Sequence, residues 1–431
     1  MPTRITAANS RFVTTGNAFW GTAWPDRLTV DNGAYLIADS TTSSYGQGEG
    51  ARLDGTWTVT INGFVGAFGE GDISHAVYRS GLLLHTTNPA DLATVTIGKT
   101  GRIHGTDNGI ESLTALKVVN HGLIDSYSAI VANGPLDLTN DGRIVGNVWC
   151  TSADAGDVFR NFTKVGKTMK SGTVVGTIQL GSGDDRFFGG AKAETVLDGK
   201  GSDVYRLGGG NDVFFGRAPF ASSLDSAGTD IVDGGAGTDT YDGSATTAGF
   251  SINLDSVQWL FTPAGTATDV GIGSPMIGTD RISNFERVVG GSGNDWMFGN
   301  AGANIFVGGG GEDFLMGGRG RDTLTGGDPA DRFFYTSIAE SLPKALDVIT
   351  DFRRGYDSID LLNIDANGNA PGDAGFTFIG VQPFHGVRGE LRISFLGGDT
   401  LVSADVNGDR KADFAILLKG LMVLEGSDFN L

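Results

Sequence analysis

The chain has 431 residues, which fits two or three domains, and its 70 Gly against 11 Pro distinguish it from collagen and from a Pro-rich linker. Its 50 acidic and 31 basic residues leave a formal net charge of -19, which disfavours nucleic acid or an anionic membrane as a partner and suits cations. Cys150 is the single cysteine, so an intramolecular disulfide framework is excluded, and neither a membrane span nor a cleavable secretory signal is expected.

Residues 28–178 hold a loose repeat of short β-branched runs separated by turns that contain Asn or Gly. Three turn glycines, Gly101, Gly122 and Gly142, are 21 and 20 residues apart. A strand, a turn and another strand at a period of about 20 residues predict the stacked rungs of a parallel β-helix. We therefore expect a β-helix-like solenoid domain over residues 1–179.

A nine-residue repeat follows in two blocks, residues 180–242 and residues 290–334. Residues 243–289 between them are an insertion that shifts the phase, and its end, GTDRISNFERVVGG, resembles a variant coil that leads back to the pattern. Position six of the units is occupied in order by Asp185, Glu194, Asp203, Asp212, Ala221, Asp230, Asp239, Asp295, Asn304, Asp313, Asp322 and Asp331. Position eight of the second block is occupied by Met297, Phe306, Leu315, Leu324 and Phe333.

Each column of this repeat has a physical role. Glycines at positions one, two and four permit left-handed or crowded backbone and let carbonyl oxygens turn inward. The apolar residue at position eight can stack on its equivalent in the next coil, whereas the acidic residues would repel one another unless a cation lies between them. Carboxylate and carbonyl oxygens suit calcium rather than zinc or copper. The predicted calcium ligands are Asp185, Asp203, Asp212, Asp230, Asp239, Gly291, Gly293, Asp295, Gly309, Gly311, Asp313, Gly318, Gly320, Asp322 and Asp331.

The nonads resemble GGxGxDxUx, the repeat of the calcium-binding RTX proteins. This resemblance implies that two nonads form one coil of a parallel β-roll, with several calcium ions between turns related by 18 residues. Glu194 and Asn304 depart from the motif, so we expect weak or absent sites there. The pairs with the required spacing are Asp185 with Asp203, Asp212 with Asp230, Asp295 with Asp313, and Asp313 with Asp331.

After Phe334 the glycine repeat stops, and alternating apolar positions predict strands and turns to the end of the chain. Residues 335–431, with their final DFNL, resemble the C-terminal domain of serralysin-type metalloproteases. The resemblance implies a β cap on the roll and an uncleaved secretion signal that a type I exporter recognises. Metalloprotease activity itself is rejected, because none of the five histidines begins an HExxH motif.

Two loops in this C-terminal region imitate a calcium loop. DANGNAPGD begins at Asp365 and DVNGDRKAD begins at Asp405, and both place Asp or Asn at alternate positions. Their sixth position holds Ala370 or Arg410 where an EF-hand requires Gly, and the acid at position twelve is missing. Asx-type turns without metal are therefore favoured, and metal binding at these loops stays open.

These features predict an all-β protein, with an N-terminal parallel β-helix-like solenoid that runs into a calcium-binding parallel β-roll with a C-terminal β cap. The predicted domains are residues 1–179, 180–334 and 335–431. We expect an exported bacterial protein, extracellular or on the cell surface, that folds on calcium and has a non-catalytic adhesive, matrix or surface-layer role. Its expected partners are calcium, a type I exporter, and an extracellular polysaccharide or further copies of the chain.

The alternative is a polysaccharide-active enzyme of the lyase or epimerase type, or a lectin, with its site on the N-terminal β-helix. Such catalysis needs a carboxylate or histidine beside a tyrosine or a basic partner in one groove. The sequence offers residues of these types without a compact cluster of them. They are Asp107, Glu111, Asp125, Tyr127, His104 and His121.

Overall fold

The all-β class predicted from the sequence is confirmed. The described residues form strands, turns and two short 3-10 helices, Ala7–Asn9 and Gly426–Asp428, and they contain no α-helix. Accordingly, none of them belongs to a helix that is long and apolar enough to cross a membrane. The chain divides into two compact units, one of residues 1–214 and 228–237 and the other of residues 215–227 and 238–431. The computed structural model describes residues 3–9, 11–13, 19–21, 26–39, 50–54, 57–68, 80–85, 92–151, 156–217, 228–269, 278–368 and 374–431.

The first unit consists mainly of short parallel strands. Its one described antiparallel pair is a hairpin of residues 162–171. The strands that begin in this unit are β1 (Thr3–Ile5), β2 (Arg11–Val13), β3 (Trp20–Gly21), β4 (Asp26–Val30), β5 (Tyr35–Asp39), β6 (Ala51–Asp54), β7 (Trp57–Ile61), β8 (Phe64–Phe68), β9 (Ser80–His85), β10 (Leu92–Ile97), β11 (Arg102–Gly105), β12 (Asn108–Ser112), β13 (Ala115–Asn120), β14 (Leu123–Ala132), β15 (Leu136–Asn140), β16 (Arg143–Cys150), β17 (Val158–Arg160), β18 (Phe162–Val165), β19 (Thr168–Ser171), β20 (Thr173–Val175), β21 (Thr177–Gln179), β22 (Arg186–Phe188), β23 (Thr195–Leu197), β24 (Val204–Arg206), β25 (Val213–Phe215) and β26 (Ile231–Asp233).

The rungs of the N-terminal part have strands on three faces. Strands β7, β8 and β9 form one rung and β10, β11 and β12 form the next, since each strand pairs in parallel with its counterpart. In the next two rungs one longer strand, β14 and then β16, replaces the second and third, because β14 pairs with both β11 and β12 and β16 pairs with both β20 and β21. The parallel β-helix predicted for residues 28–178 is therefore confirmed for the part of that range that the structure describes.

An apolar column runs through this unit. The strand register pairs Val95 with Val118, Val118 with Leu138, and Leu138 with Phe159, and these side chains are fully buried. Phe159 pairs in turn with Phe187, which lies in the first nonad. Because adjacent strands lie about 4.8 Å apart, equivalent side chains stack directly on one another. Within this unit the β-helix rungs and the nine-residue coils thus share one core.

A second column in the same rungs is polar. Asn120 Nδ2 donates to Asn140 Oδ1 at 2.8 Å, and Asn140 Nδ2 donates to Asn161 Oδ1 at 2.6 Å. Asn161 Nδ2 donates to Glu194 Oε1 at 2.7 Å, and all three asparagines are fully buried. We call Asn120, Asn140 and Asn161 the asparagine ladder. Because each amide both donates and accepts, the ladder satisfies buried polar groups without an ion.

The second unit contains the later nonads and the C-terminal segment. Its strands are β27 (Thr240–Asp242), β28 (Phe250–Asn253), β29 (Thr266–Asp269), β30 (Thr279–Ser283), β31 (Arg287–Val289), β32 (Trp296–Phe298), β33 (Ile305–Gly310), β34 (Phe314–Met316), β35 (Thr323–Asp328), β36 (Arg332–Phe334), β37 (Asp347–Ile349), β38 (Ser358–Asp360), β39 (Thr377–Phe378), β40 (Glu390–Leu396), β41 (Asp399–Asp405), β42 (Phe414–Leu418) and β43 (Phe429–Asn430).

Successive nonads of this unit alternate between two parallel ladders, so two nonads complete one coil. One ladder runs β28, β32, β34, β36, β38, β43, and the other runs β27, β31, β33, β35, β37, β42. The core predicted at position eight is confirmed, because each of these side chains is 0% exposed. They are Met297, Leu315 and Phe333 in the first ladder and Phe306 and Leu324 in the second.

The segment predicted as an insertion, residues 243–289, supplies part of the roll. Strand β28 pairs in parallel with β32, and β31, which ends the GTDRISNFERVVGG segment, pairs with β27 and β33. Strands β29 and β30 form an antiparallel excursion beside β28. The boundaries of the three predicted domains stay predictions.

The C-terminal segment provides the last strand of each ladder, β42 in one and β43 in the other. Strand β42 also pairs antiparallel with β41, which pairs with β40. An antiparallel sheet thus occupies the end of one ladder and covers an edge that would otherwise expose unpaired backbone groups.

Candidate calcium-binding turns

The residues at position six in the second unit form two buried columns, with one residue per coil. In one column Asp313 Oδ1 accepts the Asp295 backbone N–H at 2.9 Å, and Asp331 Oδ1 accepts that of Asp313 at 3.0 Å. In the other, Asp322 Oδ1 accepts the Asn304 N–H at 2.7 Å. All five side chains are at most 3% exposed. Oδ1 of each of these acids thus accepts a hydrogen bond from the backbone of the preceding coil.

The second carboxylate oxygen faces the glycine that opens the same nonad. Oδ2 of Asp313 and Oδ2 of Asp331 are buried and accept no hydrogen bond within the described ranges. A Cβ added at Gly308 would lie 2.2 Å from Asp313 Oδ2 and 2.5 Å from the carbonyl oxygen of Gly326, one coil later. The missing side chain therefore leaves a carboxylate oxygen and a carbonyl oxygen beside one small space.

The turn glycines predicted as ligands stack closely from coil to coil. Gly309 and Gly311 have φ angles of +109° and +105°, a conformation that favours glycine. A Cβ would lie 2.3 Å from the Gly291 carbonyl oxygen at Gly309 and 2.5 Å from the Gly293 carbonyl oxygen at Gly311. Carbonyl oxygens of successive turns are thus brought together. One nonad later, the same geometry recurs at Gly318 and Gly320.

The first unit has the same buried columns. Asp203 Oδ1 accepts the Asp185 N–H, and Asp230 Oδ1 accepts the Asp203 N–H, both at 2.7 Å. Carboxylate oxygens of Asp198, Asp203 and Asp230 lie within 4.8 Å of one another and could hold a metal ion. Asp198 was not among the predicted ligands, because it stands at position one of its nonad, where the motif has glycine.

The two remaining predicted acids of the first block follow the same pattern. Asp212 Oδ1 accepts the Glu194 N–H at 2.7 Å. In the second unit, Asp239 donates its N–H to Glu286 Oε2 at 2.9 Å, so a glutamate from the variant coil takes the place of the next acid. Ala221 lies outside the described residues.

The two departures from the motif occupy the same buried positions with different chemistry. Asn304 Oδ1 accepts the Asn300 N–H at 3.0 Å, and its buried Nδ2 has no partner in the described ranges. An amide nitrogen is a donor and does not bind a cation. Glu194 uses Oε1 to accept the Asn161 amide and keeps Oε2 buried beside Gly189.

Burial raises the pKa of these carboxyl groups well above the ordinary aspartate value of about 4. For Asp185 and Asp313 the pKa is raised to about 8, chiefly by burial and further by repulsion from neighbouring acids. For Asp322, burial and then the nearby Asp347 raise the pKa to about 9. An ionised carboxylate is therefore unfavourable here unless a cation shares its charge. The hard oxygen donors of these turns fit calcium.

The acid columns extend beyond the predicted nonads. Asp157 donates its N–H to Asp185 Oδ1 at 2.6 Å, Asp347 Oδ1 accepts the Asp322 N–H at 2.9 Å, and Asp357 Oδ1 accepts the Asp331 N–H at 3.0 Å. Asp157 and Asp347 lack the glycines of positions one, two and four, and Asp357 has only the one at position four, Gly355, so the nonad pattern missed them. The signal they do share with the repeat is an acid two residues before a buried apolar residue, as in DVF, DVI and DSI.

The two calcium-like loops form turns around their own first aspartates. Asp405 Oδ1 accepts the backbone N–H groups of Asn407 and Gly408, and Oδ2 accepts that of Arg410 at 2.8 Å. This is the Asx-type turn that the sequence favoured. Asp365 Oδ1 likewise accepts the Asn367 N–H at 3.0 Å, while Ala370 lies outside the described residues.

The two candidate histidines of the β-helix contact different carboxylates. Asp125 makes a bidentate contact with Arg102 at 2.6 and 3.1 Å, and His104 lies 3.5 Å from the same carboxylate. His121 Nδ1 contacts Asp141 Oδ1 at 2.7 Å. Among the described residues, no group of three acidic, cysteine or histidine side chains suited to a shared metal ion includes Asp107, Glu111, Asp125, His104 or His121.

Comparison with known protein families agrees with this geometry. Residues 229–430 match the family described as Peptidase M10 serralysin C terminal, and residues 179–214 match the RTX calcium-binding nonapeptide repeat (4 copies). The chain therefore carries RTX repeats, which bind calcium ions, and a serralysin-type C-terminal domain, as the sequence predicted. The two families together imply secretion.

Individual relatives match only part of the chain. It is 42% identical over 182 residues to Metalloprotease AprA of Pseudomonas entomophila, covering 41% of this chain and 34% of that protein. It is 42% identical over 167 residues to Serralysin of Photorhabdus luminescens, and this match covers 38% of this chain and 33% of that protein. The chain thus spans about a third of the length of these curated relatives. A solved subunit of the Azotobacter vinelandii mannuronan C5-epimerase aligns at 25% identity over 32% of this chain and 78% of its own, with a TM-score of 0.21.

Proposed function

We propose that this chain is an exported protein that folds when calcium fills its turns outside the cell, and that it has a non-catalytic adhesive, matrix or surface-layer role there. A type I exporter would carry it out, with the uncleaved signal in the C-terminal domain. The observation that carries the proposal is the buried acid column, in which Asp313 Oδ2 and Asp331 Oδ2 have no donor among the described residues. Asp313 Oδ2 also lies beside the space at Gly308 that the Gly326 carbonyl oxygen borders.

The proposed calcium ligands are carboxylate oxygens at position six and carbonyl oxygens of the turn glycines. Each ion would lie between two coils and offset the repulsion of the acids that meet there. The acids are Asp185, Asp203, Asp212, Asp230, Asp239, Asp295, Asp313, Asp322 and Asp331, and the glycines are Gly291, Gly293, Gly309, Gly311, Gly318 and Gly320.

Calcium concentration then controls where the chain folds. In a cytosol with little free calcium, repulsion among the acids and the backbone entropy of the glycines oppose folding, and an unfolded chain suits passage through an exporter. Outside, calcium near the dissociation constants of about 0.1 to 1 mM that are typical of extracellular modules would fill the turns. The free energy of calcium binding then becomes free energy of folding.

The arrangement of the candidate catalytic residues supports a non-catalytic role. His104 and His121 contact different carboxylates, those of Asp125 and Asp141. Tyr127 is 78% exposed, so its hydroxyl lies in solvent rather than in a groove with those groups. Among these candidates, an acid, a base and a tyrosine thus do not converge as lyase or epimerase chemistry requires.

The test compares two variants in calcium titrations followed by far-UV circular dichroism. Asp313→Ala removes a carboxylate from the column, whereas Asn304→Ala removes a side chain that lacks one. We expect Asp313→Ala to raise the calcium midpoint about tenfold, the loss seen when one supporting group leaves a metal site, and Asn304→Ala to raise it much less. Equal midpoints would remove Asp313 from the ligand set.

A further inference from the structure

An open groove of about 380 Å³ lies on the outer surface of the β-helix in the first unit. Glu111, Val131 and Trp149 are register partners on the successive strands β12, β14 and β16. Their chain neighbours Ile130 and Val148 are fully buried, so the groove residues point away from the core. The row spans two strand spacings, about 9.5 Å, which is long enough for two sugar rings.

The carboxylate of Glu111 is fixed at one end of this row. Ser80 Oγ donates to Glu111 Oε2 at 2.6 Å, and Asn108 Nδ2 donates to the same oxygen at 3.0 Å. Oε1 makes no hydrogen bond with any described residue. Since the other oxygen is anchored, Oε1 is a positioned acceptor for hydroxyl groups, and a charged acceptor makes the stronger kind of hydrogen bond.

The rim of the groove adds a donor and hydroxyl groups. Thr151 Oγ1 donates to Asn133 Oδ1, so the amide of Asn133 is oriented with its Nδ2 free to donate to a ligand. Ser128, the register partner of Asn108, also lines the groove. Together with the half-buried indole of Trp149, the groove combines an apolar ring with a few placed polar groups, which is typical of a ligand site.

We infer that this groove binds a neutral oligosaccharide, a segment of an uncharged polysaccharide. Hydroxyl groups of a sugar can donate to Glu111 and accept from Asn133, while the apolar face of a sugar ring can pack on Trp149. The negative carboxylate, in a chain with a net charge of -19, disfavours uronic or sulfated sugars. The inference rests on the proposed adhesive role and names the ligand class for it.

The test is calorimetric titration of the calcium-loaded full chain with neutral hexasaccharides of glucose, mannose and galactose, and with hexagalacturonate as the charged comparison. We expect one neutral hexasaccharide to bind and the galacturonate to bind more weakly. Trp149→Ala and Glu111→Gln should each weaken binding about tenfold. The matched control is Tyr127→Ala, an exposed aromatic residue on β14 outside the groove, which should leave binding within about twofold of the unmodified chain.

Three outcomes would overturn the inference: no neutral hexasaccharide binds, galacturonate binds more tightly, or Glu111→Gln and Trp149→Ala bind like the unmodified chain. Circular dichroism of each variant shows whether it is folded, and Glu111→Gln keeps the test valid if Trp149→Ala does not fold. Absence of sugar binding by a chain that folds on calcium contradicts this inference alone. A chain that is fully folded without calcium contradicts the proposed function instead.

Discussion

The asparagine ladder and the acid columns both repeat a buried polar side chain from rung to rung, and they satisfy it in different ways. Asn140 accepts from Asn120 and donates to Asn161, so its amide is paired on both sides. Asp313 accepts a single backbone N–H through Oδ1 and leaves Oδ2 buried beside Gly308. A column of amides is complete within the protein, whereas a column of acids needs a cation.

In the first unit, Glu194 is the residue at which the asparagine ladder meets an acid column. Its Oε1 accepts the amide of Asn161, the last member of the ladder, and its own N–H donates to Asp212 Oδ1. The asparagine ladder before Glu194 holds its polar side chains without an ion. From this difference we expect the first unit to have a calcium-independent part and a calcium-dependent part.

The largest expected effect is the response of these two parts to chelation. With calcium removed, backbone amides of β22 and β24 in the first unit should lose most of their protection from hydrogen exchange, because the acids beside them repel one another. Amides of β13 and β15 should keep theirs. Hydrogen exchange followed by mass spectrometry, with and without a chelator, measures both. Equal loss in the two regions would mean that the ladder has no stability of its own.

A matched pair of substitutions makes the same change in each column. Asn140→Asp keeps an acceptor for Asn120 but leaves Asn161 Oδ1 without its donor and buries a charge, so the free energy of unfolding should fall by about 2–4 kcal/mol. Asn304→Asp restores the motif in a calcium column and should lower the calcium midpoint. Urea unfolding at saturating calcium and a calcium titration report the two effects. Destabilisation of similar size by both would show that the columns do not differ.

A smaller effect is expected from filling the space beside one acid. Gly308→Ala places a Cβ 2.2 Å from Asp313 Oδ2 and 2.5 Å from the Gly326 carbonyl oxygen. Overpacking of this kind should reduce the free energy of unfolding in calcium by about 1–3 kcal/mol. Gly426→Ala is the control, since a Cβ there meets nothing within 4 Å. Urea unfolding curves compare them, and a Gly308→Ala curve that overlays the control would show that the turn can widen at no cost.

The sequence predicted the features that repeat at a fixed spacing. The position-eight core, including Phe306 and Leu324, and the parallel β-helix around Gly122 and Gly142 follow from spacing alone, because a solenoid places equivalent residues in contact.

Other features depend on contacts that spacing does not encode. Asp157 and Asp347 join the acid columns without the glycines of positions one, two and four, so only their place in a coil identifies them. The asparagine ladder includes Asn161, which precedes a hairpin rather than a glycine turn. The groove formed by Glu111 and Trp149 requires the register of three strands, which the sequence does not fix.

The most direct test of the account is a calcium titration of the purified chain followed by far-UV circular dichroism, with magnesium as the comparison. The account predicts a cooperative gain of β signal at millimolar calcium that a chelator reverses and magnesium does not reproduce. A full β signal in the presence of chelator, unchanged by added calcium, would contradict it, because the buried acids would then be satisfied without an ion.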